Sequence, residues 1–455
     1  MSENDFPEDD ARTGDEVNGD TVKDELDDLD DEELPERNPQ RAVLVAVRLS
    51  DLPEAEFEDS LAELGRLAHT LGLDVRDTIT QTRASFHAAS YIGSGKVADL
   101  KAALAVHDAG VVILDHEVSP SQARNLEKAT GAEVMDRTAV ILEIFHRHAR
   151  SRAAKSQVEI VRLEYMAPRL REQGKGRDRQ RGGIGGKGSG ESGMELDRRK
   201  IRDRIAELTA EIGNLEQEQR TQRARRQALD RVALVGYTNA GKSTLMRTLT
   251  GSEVYVADKL FATLDTTVRT LVPESKPRVL VSDTVGFINN LPHGLVASFK
   301  STLDEALEAS FLLHIVDASD PAFERQLNVT ADVLRDLGAG DVPRKFVFNK
   351  IDKVGAREAE VRAALLERWP DALVMSARRP EDVTALRQSI VDFFGRHLVE
   401  DDLRVPYDRQ QLRGDIYTHC QVLGERYEDD AVIFRVRAHP QHLARLREGK
   451  SLSSQ

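Results

Sequence analysis

The chain has 455 residues, of which 40% are hydrophobic; this suggests about three domains and excludes wholesale disorder. A single cysteine, Cys420, excludes an internal disulfide framework, no Cys/His cluster has zinc spacing, and no stretch approaches the roughly 18 apolar residues of a membrane span. Residues 1–37 hold 17 Asp/Glu against 3 Lys/Arg and so carry the whole net charge of −14, leaving the rest of the chain neutral.

In chain order, residues 1–40 read as a disordered acidic tail, because so few aromatic or β-branched residues cannot bury enough surface to fold. The tail's opening MSENDFPEDD is no secretory signal, and the chain is expected to be cytoplasmic. Residues 41–150 alternate apolar strands with helical spacing: AVLVAVRL (42–49), a helix over 56–72, DVRDTITQTR (74–83), a helix over 97–107, VVILD (111–115), a helix over 119–130, EVMD (133–136) and a helix over 137–148. Within this unit YIGSGK (91–96) lacks the remainder of a phosphate-binding loop and reads as a structural turn.

Residues 151–230 read as a helical hairpin. A basic helix over 154–172 carries Val158, Val161 and Tyr165 on one side, and a long helix from Asp197 to about Leu229 carries Ile201, Ile205, Leu208, Ile212 and Leu215 at alternating steps of four and three. A seam this narrow needs a partner, and the preceding helix is nearest. Between them, residues 174–193 hold nine of the thirty glycines together with Lys175, Arg177, Arg179, Arg181 and Lys187. Residues 147–181 hold 11 Lys/Arg and 4 Asp/Glu. A plain flexible linker competes with a phosphate-contacting tip. Interleaved Arg and Gly at the end of two helices favour contact with a folded RNA backbone, since glycine permits close approach and Arg grips phosphate oxygens in pairs.

Residues 231–398 carry the chemistry. A short apolar strand runs into Gly236-Tyr237-Thr238-Asn239-Ala240-Gly241-Lys242-Ser243 and a helical pattern follows, the context a P-loop requires. Backbone amides there face phosphates, Lys242 adds a point charge, and the Ser243 hydroxyl can ligand Mg²⁺. Next comes a buried strand ending in Asp283-Thr284-Val285-Gly286, where the acid can hold the Mg²⁺ shell through water and the Gly286 amide can sense a γ-phosphate. Asn349-Lys350-Ile351-Asp352 follows another buried strand, and a carboxylate at Asp352 can accept two hydrogen bonds from guanine that adenine cannot offer. Ser376-Ala377-Arg378 follows a third strand and can supply backbone contacts to the base. Residues 399–455 read as a small α+β unit without a legible function.

The chain from about residue 41 onward resembles the HflX family of ribosome-associated GTPases. The likeness rests on YIGSGKV, MDRTAVILEIFHRHARS, KSQVEIVRLEYMAPRL, LVGYTNAGKSTL, LFATLDTT, DTVGFINNLPHGLVASF and FNKID. It implies a doubly wound, mostly parallel α/β sheet for the GTPase domain, and a first switch at Phe261-Ala262-Thr263-Leu264-Asp265. Thr263 is then the residue that coordinates Mg²⁺ and the γ-phosphate, with Lys242 and Gly286 completing the catalytic set; spacing alone does not choose Thr263 over Thr266 or Thr267. The resemblance also implies GTP and GDP as ligands and the large ribosomal subunit as partner. It implies an action that parts or rescues idle or stalled ribosomes, with assembly or RNA remodelling timed by GTP as the alternative. Nothing calls for an obligate oligomer, so a monomer is expected. Two departures stand out: Thr266 replaces the family's usual proline, and GSGESGMELDRR (188–199) lacks the family's Gly-Pro-Gly-Glu-Thr-Gln run.

Phe287 follows Gly286 where many GTPases place a water-orienting Gln. Either the free protein hydrolyses GTP slowly and the ribosome supplies the missing group, or Phe287 only packs and other residues hold the water.

Overall fold

The computed structural model describes residues 40–170, 193–224, 230–251, 260–261, 263–264, 267–276, 278–289, 291, 308–409 and 411–449. The acidic tail, the glycine-rich tip with Lys175, Arg177, Arg179, Arg181 and Lys187, and the switch positions Ala262, Asp265 and Thr266 lie outside the described residues.

The first sheet is wholly parallel. β1 (Arg41–Leu49) lies between β2 (Asp74–Arg83) and β3 (Val111–Leu114), and β4 (Glu133–Asp136) adds to β3, so the order is 2-1-3-4. β1 is buried along Ala42–Val47, as a strand covered on both faces should be. α1 (Glu54–Thr70) and α4 (Arg137–His148) cover one face; α2 (Ser94–His107) and α3 (Pro120–Thr130) pack on the other. α3 opens with a reciprocal Ser119/Gln122 cap and Pro120, and ends at Gly131 in the left-handed region. The YIGSGK segment is a turn: Tyr91 sits at φ 63°, buried, and Gly93 precedes the first residue of α2.

α5 (Arg152–Leu170) and α6 (Gly193–Ala224) run antiparallel, since Arg152 pairs with Glu211 at 2.6 Å and Glu159 with Arg204 at 3.0 Å. Of the expected seam only Leu208 is fully buried; Ile201, Ile205, Ile212 and Leu215 are half-buried. Two helices without a third cannot cover a stripe on both sides. α6 begins four residues before the expected Asp197.

The second sheet has the order β10-β9-β8-β5-β7-β6, with β5 (Asp230–Gly236), β7 (Val279–Asp283), β8 (Phe311–Asp317), β9 (Arg344–Asn349) and β10 (Leu373–Val374) parallel and β6 (Thr267–Thr270) antiparallel on the edge. α7 (Lys242–Thr250), α8 (Phe323–Asp336), α9 (Glu358–Arg368) and α10 (Pro380–Gly395) flank it. β5 and β8 are buried almost throughout, so their carboxyl ends open into a covered crevice, the place such sheets bind ligands. A third, antiparallel sheet, β11 (Val399–Pro406), β13 (Ala431–Ala438) and β12 (Gln421–Tyr427), carries α11 (Gln411–His419) and α12 (Pro440–Arg447).

The largest core is shared between the first two sheets. Leu64 and Leu67 of α1, Ile141 and Phe145 of α4, and Val158 of α5 join Val235, Tyr237, Leu260, Phe261, Leu264, Phe287 and Ile288 in one buried cluster. The residues on either side of the nucleotide motifs therefore lose water against the N-terminal helices.

Candidate nucleotide site

β5 delivers Gly236, and the chain turns through Asn239 at φ 59° and Gly241 at φ 100° before α7 starts at Lys242. A Cβ on Gly241 would strike the Asn349 side chain, so glycine is required there for space as well as conformation. Gly241 caps α7 without a side-chain bond, leaving first-turn amides pointing outward. The Lys242 ammonium is buried and donates to the carbonyls of Gly236 (3.0 Å) and Tyr237 (2.8 Å). Burial pulls its pKa down to about 8, against the opposing pull of Asp283.

Ser243 Oγ lies 2.7 Å from Thr263 Oγ1 and donates to Asp283 Oδ2 at 2.9 Å. Asp283 is fully buried, its other carboxylate oxygen has no hydrogen-bond partner, and burial raises its pKa while Lys242 opposes the rise. Three hard oxygens with one orphaned buried lone pair suit Mg²⁺, which takes few protein ligands and completes its shell with waters and phosphates. Among the described residues no group of three His, Cys, Asp or Glu could hold a metal ion.

The segment after Asp283 is laced to the turn that follows β5. Thr238 N donates to Phe287 O at 2.8 Å, and Phe287 N to Gly236 O at 3.2 Å. A Cβ on Gly286 would sit 2.8 Å from Thr238 Cγ2, 2.9 Å from Thr238 Cα and 3.0 Å from the Lys242 ammonium, contacts that real side chains do not make. Phe287 is 1% exposed and belongs to the shared core. Its side chain packs and does not face water.

At the end of β9, Asn349 Oδ1 accepts from Ala377 N (2.9 Å) and its Nδ2 donates to Ala240 O (3.0 Å). Lys350, at φ 61°, pairs with Asp317 at 2.8 Å and also bonds the Asn239 carbonyl. Asp352 stands in the first turn of a short 3-10 helix (Ile351–Arg357), 4.0 Å from Arg378. Ser376 N donates to Asp382 at 2.8 Å, fixing the loop that carries Ala377.

One cleft collects these groups. It is lined by Thr238, Asn239, Gly241, Lys242, Ser243, Phe261, Thr263, Thr284 and Gly286 at one end, and by Asn349, Lys350, Asp352, Ser376, Ala377 and Arg378 at the other. Thr244 and Lys353 also line it. The sequence reading passed over both, although each directly follows a motif residue. Gly236, Tyr237, Ala240, Leu264, Asp283, Val285 and Ile351 are outside the lining; they sit in the strand ends and core behind it. Tyr237 turns its side chain wholly away, to Glu63 of α1.

The N-terminal helices also hold Leu260 and Phe261. Phe261 O lies 2.8 Å from His148 Nδ1, Leu260 N donates to Thr70 Oγ1 at 3.2 Å, and the Phe145 and Phe261 rings meet edge-on at 4.5 Å.

Family models match three successive segments: "GTP-binding GTPase N-terminal" over 58–146, "GTP-binding GTPase Middle Region" over 148–226 and "50S ribosome-binding GTPase" over 231–350. The chain is 50% identical over 442 residues to GTPase HflX of Gluconacetobacter diazotrophicus, covering 89% of this chain and 97% of that protein. It is 36% identical over 396 residues to GTPase HflX of Escherichia coli, covering 87% and 92%. A solved GTP-binding protein of Sulfolobus solfataricus in complex with GDP aligns with 77% of this chain and 99% of its own, at 22% identity and a TM-score of 0.43.

Proposed function

The chain belongs to the HflX family of GTPases and is a GTP hydrolase, and from that premise we propose that it binds the large ribosomal subunit and uses GTP hydrolysis to part or rescue stalled or idle ribosomes. The observation that carries this reading is the joining of a complete nucleotide cleft, through β5, to an antiparallel helical arm. The name of the family model over residues 231–350 supports the same partner. At the tip of the arm, Lys175, Arg177, Arg179, Arg181 and Lys187 are the residues we assign to ribosomal RNA.

In this reading Lys242, the first-turn amides of α7 and the Gly286 amide bind the β- and γ-phosphates. Ser243 and Thr263, whose hydroxyls meet beside Asp283, would ligand Mg²⁺, and Asp283 would hold it through water. The ion, when bound, neutralises charge developing on the transferred phosphoryl group. Asp352 selects guanine and Ala377 contacts the base edge. Thr263 and Gly286 release together when the γ-phosphate leaves, and the loops they belong to let go of the N-terminal helices.

Because Phe287 is packed in the core, nothing at that position orients water, and free hydrolysis is slow until the ribosome supplies or orders a group. Among the described residues no helix is long and apolar enough to cross a membrane, and a cytoplasmic monomer suits the ribosome as partner.

Sedimentation of the full chain with 50S subunits and with whole 70S ribosomes, in GTP, GDP and a non-hydrolysable analogue, tests the reading. Retention with the analogue and faster hydrolysis with subunits are expected; a protein left at the top of the gradient refutes it. Retention without subunit separation selects the second reading, an assembly or RNA-remodelling factor timed by GTP.

A further inference from the structure

Tyr237 occupies the first variable position of the phosphate-binding turn, where a short side chain would serve the backbone equally well. Instead its ring lies in the shared core, 6% exposed, and its hydroxyl makes two bonds. It donates to Glu63 Oε2 on α1 and accepts from the backbone N–H of Asn289 at 2.7 Å. Asn289 is three residues past Gly286, so one hydroxyl ties the segment carrying the γ-phosphate-sensing amide to the N-terminal sheet.

The carboxylate at the other end is built to stay put. Glu63 is 4% exposed, and its second oxygen accepts from Arg137 at 2.6 Å. Arg137 is itself buried and spends its remaining donors on Asp115 Oδ1 (2.7 Å), Asp115 O (3.2 Å) and Ser60 O and Oγ (both 2.9 Å). Three ionised groups out of water are a poor way to gain stability, because well-packed apolar residues do as well or better. Such a network does hold an oxygen at a fixed point. Burial also pushes the Tyr237 hydroxyl above its ordinary pKa, so it remains a donor across the working range.

We propose that Tyr237 is a positioning residue for GTP hydrolysis, acting through Asn289 to hold the Gly286 amide against the phosphate-binding turn, with Glu63 of the N-terminal domain as its anchor. The proposal rests on the hydrolase activity and on the reading that assigns the Gly286 amide to the γ-phosphate, and is independent of any ribosomal partner. With the hydroxyl gone, the peptide at Asn289 loses its acceptor and the Gly286 segment samples positions in which its amide misses the γ-phosphate. Ground-state binding by Lys242, α7 and Asp352 is untouched.

The test uses the full chain without ribosomes and measures phosphate release at saturating GTP alongside GDP affinity. Tyr237→Phe keeps the ring and its packing, so folding is preserved. It should lower kcat about five- to tenfold, the worth of one or so hydrogen bonds in the transition state, while KM for GTP and Kd for GDP stay within twofold. Glu63→Leu should lower kcat in the same way, and the double variant should be no slower than the worse single one, because both break one chain. A Tyr237→Phe kcat within twofold of the parent overturns the proposal. So does a loss confined to KM, or a double variant whose loss is the product of the two single losses, the signature of two unconnected structural defects.

Discussion

Replacing Arg137 with Met exchanges a buried cation for an apolar chain of similar reach. The exchange removes five hydrogen bonds, to Glu63, to Ser60 twice and to Asp115 twice. Glu63 and Asp115, 4% and 2% exposed, then remain out of water without their counter-ion. Breaking a buried pair from one side costs about 3–5 kcal/mol, and with a urea m-value of about 2 kcal/mol/M the midpoint of the N-terminal transition falls by roughly 2 M. Circular dichroism during urea titration reads it. The pH dependence gives a second handle. Burial already raises the Glu63 pKa, with Arg137 the largest opposing influence, so its removal raises that pKa further. A carboxyl whose folded pKa exceeds its unfolded value favours folding below the unfolded value and loses that advantage as pH rises through the folded one. The gap between Arg137→Met and the parent should therefore narrow as pH falls from 8 toward 5. A loss under about 1 kcal/mol, or a gap that widens in acid, would refute the reasoning.

Gly286→Ala should cut phosphate release at saturating GTP by tenfold or more, because a methyl at 2.8–3.0 Å from Thr238 and the Lys242 ammonium forces the segment off the phosphate-binding turn. Asp352→Asn should reverse the preference between GTP and xanthosine triphosphate by at least tenfold in competition binding, since the amide presents a donor where the carboxylate accepted. In the proposed site Lys242 acts as a cation, and burial pulls its pKa down to about 8. Fluorescent-GDP titrations should accordingly show Kd rising up to about tenfold per pH unit above that value, a dependence absent in Lys242→Ala.

The sequence proposes its nucleotide motifs from residue types that such chemistry needs, an acid for guanine and a hydroxyl for Mg²⁺, and the structure brings Lys242, Ser243, Asn349, Asp352 and Ala377 to one cleft, with glycine where Asn349 crowds Gly241. Parallel strands such as β1 and β5 were readable because burial on both faces leaves an uninterrupted apolar run. The coupling of the two sheets was not. Glu63, Arg137 and His148 look like the polar faces of ordinary surface helices, and only the tertiary fold turns them toward Tyr237, Asp115 and Phe261. Phe287 was legible as a missing glutamine but not as part of a core shared with α1 and α4, since a lone aromatic carries no address. The helical seam brought the expected antiparallel partner, but of its five α6 positions only Leu208 is completely buried, while Val158 and Val161 of the facing helix are buried.

β5 is seven residues long, about 23 Å, with the phosphate-binding glycine at one end and Asp230 at the other. At that far end Asp230 is gripped by His439 of the last helical cap at 3.1 Å, and Arg231 by Glu308. β5 is bonded on both sides within its sheet, so these two contacts anchor the end of the strand opposite Gly236. The C-terminal unit thereby touches, through His439, the same strand that carries Gly236 into the cleft region.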